Sequence, residues 1–325
     1  MYLGNACQAD PYKIVDTASQ QGYRVLLDYT LFNASVTNMD SLAGVFLSDE
    51  DDHEVSATLM LWQRHLQQRQ RNTQIPTYNG GHSNHLSGMF SGLADIQGFD
   101  FYGAGCAPHI TGFLTPLPFR APFDFLHNAR NNNMPLPTWL YSQALNPGNY
   151  WTNGNEIAAE IAMTVLAGSH AMMLFGPWPH PPKGKDGLLL ITPLMASLSR
   201  LNETLRTGDI NGAIVTRDDD ADDSMVDAIV GPQGTVLIAI NMKADTYNDV
   251  LCNVLVEKHW VFHEHRVDTI TMQLAQPATR VQEVVAGAFV PLRNSTTSVF
   301  NSTHMTLSNV NLGVDATVVR LFFID

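Results

Sequence analysis

Residues 42–52, Leu42-Ala43-Gly44-Val45-Phe46-Leu47-Ser48-Asp49-Glu50-Asp51-Asp52, join a short apolar run to a block of carboxylates. Consecutive apolar positions read as a strand buried on both faces, as in a parallel sheet. Carboxylates at its C-terminal end then sit at the mouth of the sheet, where α/β folds place their chemistry. Two carboxyl groups in different surroundings can serve one reaction as acid and base. Other strand ends supply Asp28, after Val25-Leu26-Leu27, and Asp100, after Gly98-Phe99. Asp49 and Glu50 are adjacent and project to opposite sides of a continuing strand. Glu50 therefore pairs better with Asp100 or Asp28 than with Asp49. The competing reading makes residues 49–52 the acidic cap of the next helix, since acids are favoured at helix N-termini.

Other chemistry is weaker in the sequence. Asn79, Gln97 and Gln143 offer amides that could hydrogen-bond a ligand's hydroxyls. Tyr102, Trp139 and Trp178 offer aromatic faces, although such side chains are as often packing. His82, His85, His109 and His170, with Asp28 or Asp100, would suit zinc if they converged. Gly81-His82-Ser83-Asn84-His85 has no recognised ligand spacing, so no metal is expected. Gly103-Ala104-Gly105 is followed by a proline-rich loop instead of a helix, which argues against a dinucleotide fingerprint. No cofactor is expected. Cys7, Cys106 and Cys252 form neither a metal spacing nor a disulfide framework.

The 325 residues allow a large core and two domains. With 45% hydrophobic and 15% charged residues, the composition is that of an ordered globular protein. The net charge of −13 argues against nucleic acid, which needs clustered cations. No apolar run approaches the roughly 20 residues of a membrane span, and residues 1–10 lack the basic start and apolar core of a signal peptide. Sequons at Asn33, Asn202, Asn294 and Asn301 give a slight lean towards secretion in a chain rich in Asn, Ser and Thr. Localisation and oligomeric state stay open.

The elements that must position these residues alternate. Asp10-Pro11 reads as a cap and first helical position, with Ile14, Val15 and Ala18 inward and Gly22 closing the helix. Strands follow at residues 23–29 and 42–48. A helix over about residues 53–70 has Val55, Leu59, Trp62 and Leu66 on one face, expected to be the buried one. Further strands are expected at residues 73–78, 98–102, 136–143 and 171–175. Helices are expected near residues 122–130, after Asn155, and over 188–206. Such alternation implies a parallel sheet. Its regular recurrence favours a (β/α)8-type barrel lacking its first strand or strands over an open doubly wound sheet. Near residue 216 an acidic run, Arg217-Asp218-Asp219-Asp220-Ala221-Asp222-Asp223, reads as a solvated turn or linker. Beyond it, short alternating runs at residues 235–241, 249–256, 269–274, 281–285 and 317–323 read as an antiparallel β-sandwich. The expected class is α/β plus all-β, with domains at residues 1–215 and 216–325.

This order of motifs resembles the clan-A glycoside hydrolases, a (β/α)8 barrel followed by a C-terminal β-sandwich. The resemblance is carried by residues 21–28 (QGYRVLLD), 43–50 (AGVFLSDE), 95–102 (DIQGFDFY), 137–143 (PTWLYSQ) and 166–176 (LAGSHAMMLFG). It implies a carbohydrate substrate and makes residues 42–48 the fourth barrel strand, ending in the acid/base Glu50. It also makes residues 136–143 the seventh strand and 171–175 the eighth. Asp100 and Asp28 are then the candidates for the second carboxylate. Asp49, Asn79, Tyr102, Gln143 and Trp178 are candidate sugar contacts. One position departs from the family: Gln143 stands where the nucleophilic Glu belongs, and an amide cannot take that role. Another carboxylate, an inverting mechanism, and a non-catalytic carbohydrate-binding protein derived from such a barrel all remain open.

Overall fold

A computed structural model describes residues 2–3, 10–32, 39–48, 57–72, 74–81, 90–100, 120–133, 138–143, 154–169, 171–175, 183–210, 212–220, 223–246, 260–274, 276–301, 303–314 and 317–325. The chain divides into two compact units, Met1–Phe101 with Phe125–Tyr141, and Tyr102–Asp124 with Ser142–Asp325.

The first unit is built on parallel strands in chain order: β1 (Tyr2–Leu3), β2 (Val25–Asp28), β3 (Leu42–Phe46), β4 (Thr77–Gly81), β5 (Ile96–Asp100) and β6 (Thr138–Gln143). Parallel pairing needs crossover connections, and helices α1 (Pro11–Gln20), α2 (Ala57–Arg71) and α3 (Ala121–Asn133) lie between strands in the sequence. Among the described residues the sheet is open, with β1 at one edge. Helix α1 starts as expected: Asp10 Oδ1 accepts from the Tyr12 N–H at 3.0 Å, and Pro11 needs no donor partner there. It ends at Gly22, whose φ of +78° suits glycine. There Tyr23 N–H reaches back to Ala18 O at 2.9 Å. Val15 and Ala18 of α1 join Val25, Leu27, Val45, Leu47 and Leu61 in one apolar cluster.

Helix α2 turns the other way from the expectation. Leu59, Trp62 and Leu66 are exposed, while Ala57, Leu61 and Gln68 are buried; Val55 lies outside the described residues. Polar pegs fix this rotation. Arg64 Nη1 donates to Leu47 O at 2.6 Å, His65 Nδ1 lies 2.9 Å from Thr77 Oγ1, and Arg69 pairs with Asp95. With these side chains on the sheet side, the stripe at 59, 62 and 66 must face out.

The second unit begins with α4 (Gly154–Leu166), β7 (Ala171–Phe175), α5 (Lys183–Arg200) and α6 (Asn202–Thr207). The single helix expected over residues 188–206 is two, separated at Leu201. Then come β8 (Val215–Arg217), β9 (Ser224–Gly231), β10 (Gly234–Asn241), β11 (Ala244–Thr246), β12 (Trp260–Phe262), β13 (His265–Gln273), β14 (Val281–Val285), β15 (Ala288–Val290), β16 (Thr297–Phe300), β17 (His304–Leu312) and β18 (Val319–Ile324). They form antiparallel sheets of order β15-β14-β18-β10-β9, β16-β17-β13-β8 and β11-β12. The run expected at residues 249–256 lies outside the described residues.

Strand β10 shows why the order of residues matters. Val236, Ile238 and Ile240 pack with Ile157, Ile161 and Leu198 of the helices, whereas Leu237 and Ala239 pack with Val267, Ile270, Leu307 and Val310 of the four-stranded sheet. Both faces are covered, so the strand is apolar throughout. The acidic run at 217–223 is not a free linker. Asp219 sits between Arg217 Nε and His265 Nε2, each at 2.8 Å, and Asp218 Oδ1 accepts from Thr269 N–H at 2.9 Å, which ties the described part of the turn to β13. A buried ion pair links β14 and β18: Arg320 donates to both Glu283 oxygens at 2.9 and 2.8 Å, and Arg293 adds bonds at 3.0 and 2.7 Å. These guanidinium bonds outweigh burial and hold the Glu283 carboxyl down at about 2.

Candidate functional site

The candidate site is the C-terminal edge of the parallel sheet in the first unit. Strand parity decides which residues reach it. Val45 and Leu47 pack with Leu61 of α2, so the odd positions of β3 face that helix. Register carries this face from Val45 to Thr77, and on β4 two residues later from Asn79 to Gln97 and Thr138. The opposite face carries Asp28, Phe46, Tyr78 and Ile96 in register. Further along this face Gly80 lies beside Gly98. Tyr78 lies over Gly44, where an added Cβ would stand 2.2 Å from a ring carbon. Asp28 stands at the C-terminal edge of this face.

Of the polar and aromatic residues singled out from the sequence for chemistry, three have described side chains: Asp28, Asn79 and Gln97, the last buried with its Nε2 donating to Gly98 O at 3.2 Å. Asp28 is half-buried, and its Oδ1 accepts from Thr30 N–H at 2.8 Å and from Thr30 Oγ1 at 2.6 Å. These bonds turn the chain as it leaves β2. Asn79 is buried on the helix-covered face and makes no hydrogen bond through either amide atom. Asp100 ends β5, where its backbone pairs with Tyr141, and Gln143 ends β6. Asp28 and Asp100 thus end β2 and β5 at the same edge of the sheet, where register sets Asp28 level with Ile96, four residues before Asp100. Asp49, Glu50, Tyr102 and Trp178 lie outside the described residues, as do His82, His85, His109 and His170. Among the described residues no group of three or more His, Cys, Asp or Glu side chains could hold a metal ion, and no helix is long and apolar enough to cross a membrane.

The polar network beside the site lies at the other end of β4 and β5. Asp95 Oδ2 accepts from Thr77 N–H at 2.8 Å and from Thr77 Oγ1 at 2.9 Å, and Oδ1 takes the Arg69 guanidinium. Burial works against the Asp95 charge, but these donors overcome it and leave the carboxyl below its usual range. Burial lowers the pKa of His65, the Asp95 charge opposes that, and Arg69 adds to it. The N-terminal edge of such a sheet serves stability, and this network pins α2 there.

Sequence reasoning passed over a carboxyl pair in the second unit. Glu156 and Glu160, one turn apart on α4, are both buried. Burial, and then the Glu156 charge, push the Glu160 carboxyl well above its ordinary value. The available signal was Glu-x-x-x-Glu within an otherwise apolar helix. Both side chains lie among the hydrophobic residues of α4 and are closed to solvent.

No protein-family model and no curated protein matches the chain. Solved structures do. The GH51 arabinofuranosidase from Xanthomonas axonopodis pv. citri is 9% identical with a TM-score of 0.53, over 97% of this chain and 78% of that one. A variant of AmyP in complex with maltotriose is 7% identical at a TM-score of 0.53, over 97% and 78%. A cyclomaltodextrinase is 10% identical at 0.52, over 96% of this chain and 62% of its own length. The chain has a glycosidase-like fold.

Proposed function

We propose that this chain is a glycoside hydrolase-like protein that cleaves glycosidic bonds by carboxylate acid/base catalysis. In this reading residues 1–215 are a (β/α)8-type barrel domain and residues 216–325 an antiparallel β-sandwich. Glu50 is the general acid and Asp100 or Asp28 supplies the second carboxylate. Asp49, Tyr102, Gln143 and Trp178 contact the sugar. Asn79 enters as part of the buried row under the helices that supports β4. What supports the reading is a parallel sheet in which β2 and β5 end at Asp28 and Asp100, in a fold that resembles glycosidases. Hydrolysis needs one carboxyl kept protonated near the leaving oxygen and a second, roughly 5 to 10 Å away, as base or nucleophile.

A second reading, a non-catalytic carbohydrate-binding protein, draws on Gln143 and on Asp28, whose Oδ1 is already engaged by Thr30. The two are separated by assaying a panel of aryl glycosides while measuring sugar binding by calorimetry. Turnover of any member supports the hydrolase. Binding without turnover supports the second reading, and neither binding nor turnover removes carbohydrate as the ligand.

A further inference from the structure

In the second unit a cavity of about 540 Å³ opens beside the start of β13 and the end of β17. That volume is in the range of small-molecule pockets. Val267, Val310 and Leu312 are buried in the core between the sheets. Alternation along the strands therefore turns Arg266 and Asn311, which pair in register, to the outer side. Two residues before Arg266, exposed Glu264 comes level with Gly313. A Cβ on Gly313 would stand 2.5 Å from Thr317 Oγ1, so glycine there lets Thr317 close in on the cavity. Asn294, in the turn before β16, completes the polar lining. Hydrogen bonds make the walls rigid. Buried Asn241 donates from Nδ2 to His263 O and to Gly313 O, both at 2.8 Å, which clamps the chain entering β13 to the chain leaving β17. Asn311 Nδ2 donates to Asn294 O at 3.0 Å, and Thr296 N–H closes the turn on Arg293 O at 3.1 Å. In that turn Asn294 and Ser295 both have positive φ, +55° and +59°, a conformation uncommon for residues with a side chain. Backbone strain of this kind gathers at ligand clamps.

We propose that this cavity binds an uncharged polyhydroxyl ligand, a short saccharide, by the edges of its hydroxyl groups. The Asn294 and Asn311 amides and the Thr317 hydroxyl both donate and accept, Glu264 accepts and Arg266 donates. Hydroxyl groups, each donor and acceptor at once, satisfy that mixture, and a planar amide, carboxylate or guanidinium spans two neighbouring hydroxyls. The charges set other ligands aside. Arg266 pairs with Asp268, and His265 turns its Nε2 to Asp219 at 2.8 Å. Glu264 has no ion-pair partner among the described residues. The uncompensated charge of the lining is therefore negative, which repels phosphates and carboxylates. One carboxylate in so large a cavity does not make a metal site, and the described lining has no aromatic ring on which a base would stack. The site lies wholly in the second unit and stands whether or not the first unit is catalytic.

Titration calorimetry on the full chain with glucose, xylose, maltotriose and inorganic phosphate tests this. At least one of the sugars should bind, with a dissociation constant on the order of 1 mM, and phosphate should not. Glu264→Ala and Asn311→Ala should each weaken that binding about tenfold, with thermal unfolding unchanged. Should Asn311→Ala loosen the turn at residues 293–296, Glu264→Ala decides, since exposed Glu264 packs no core. Binding of none of the sugars overturns the proposal. Sugar binding indifferent to Glu264→Ala also overturns it, by placing the sugar elsewhere on the chain. Phosphate binding that Arg266→Ala abolishes would overturn it too, by assigning the cavity to an anion.

Discussion

Replacing Glu160 by glutamine should make the protein more resistant to unfolding as pH rises. Glu160 and Glu156 are one turn apart on α4 and closed to solvent, which puts their Cβ atoms about 6 Å apart. Burial chiefly, and the Glu156 charge after it, hold the folded Glu160 carboxyl in its protonated form to a pH well above the ordinary 4.5. The unfolded chain releases that proton near its ordinary value. Above that pH the folded state carries a proton the unfolded state has lost, so stability falls with rising pH until the folded carboxyl itself ionises. The slope in this window is about 1.4 kcal/mol per pH unit. Urea unfolding of the wild type and of Glu160→Gln should therefore diverge as pH rises above 4.5, by up to about 1.4 kcal/mol per pH unit, in favour of the variant. Titrating groups other than Glu156 contribute equally to both proteins, so the difference reports this carboxyl together with its coupling to Glu156. Glu156→Gln removes the neighbouring charge but not the burial, and should leave part of the slope. Parallel stability curves for wild type and Glu160→Gln would refute the reasoning.

The buried pair in the second unit titrates in the opposite sense. Glu283, held at about 2, contributes stability that is present above its ordinary 4.5 and lost as pH falls through 2, about 3 kcal/mol in all. Arg320→Met should leave that carboxylate with Arg293 as its remaining guanidinium partner and cost about 3 kcal/mol at pH 7 by urea titration. Gly44→Ala would drive a Cβ to 2.2 Å from Tyr78 and 2.7 Å from Pro76 O, and should cost about 1–3 kcal/mol, read as a lower melting temperature. On α2, Leu61→Ala should cost about 2–5 kcal/mol and Leu59→Ala within about 0.5 kcal/mol. The reverse ranking would mean that the helix is rotated as its apolar stripe alone implies.

That helix shows where sequence reasoning stopped. The Leu59-Trp62-Leu66 stripe has helical spacing, and a stripe is normally the inward one. What overruled it was the set of pegs from Arg64, His65 and Arg69, whose partners Leu47, Thr77 and Asp95 are distant in sequence and leave no periodic trace. The Asp10 cap and the closing Gly22 were legible because caps are local. The presence of β10 was legible too, but its run, expected to alternate, is apolar on both faces from Val236 to Ile240 because both are covered. The acidic turn misled because its partner His265 lies far along the chain on β13. For the site, strand ends at Asp28 and Asp100 could be read from apolar runs that stop at a carboxylate. That Asn79 faces the helices could not, because one residue of register moves a side chain across the sheet.

The most direct test of the central claim is to compare wild type and Glu50→Gln on aryl glycosides of one sugar with good and poor leaving groups. A general acid matters most where the departing oxygen needs a proton. Glu50→Gln should therefore lower kcat/KM by about two to four orders of magnitude on the poor leaving group, and far less on the good one. Equal activity of the two proteins on the poor leaving group would contradict the account.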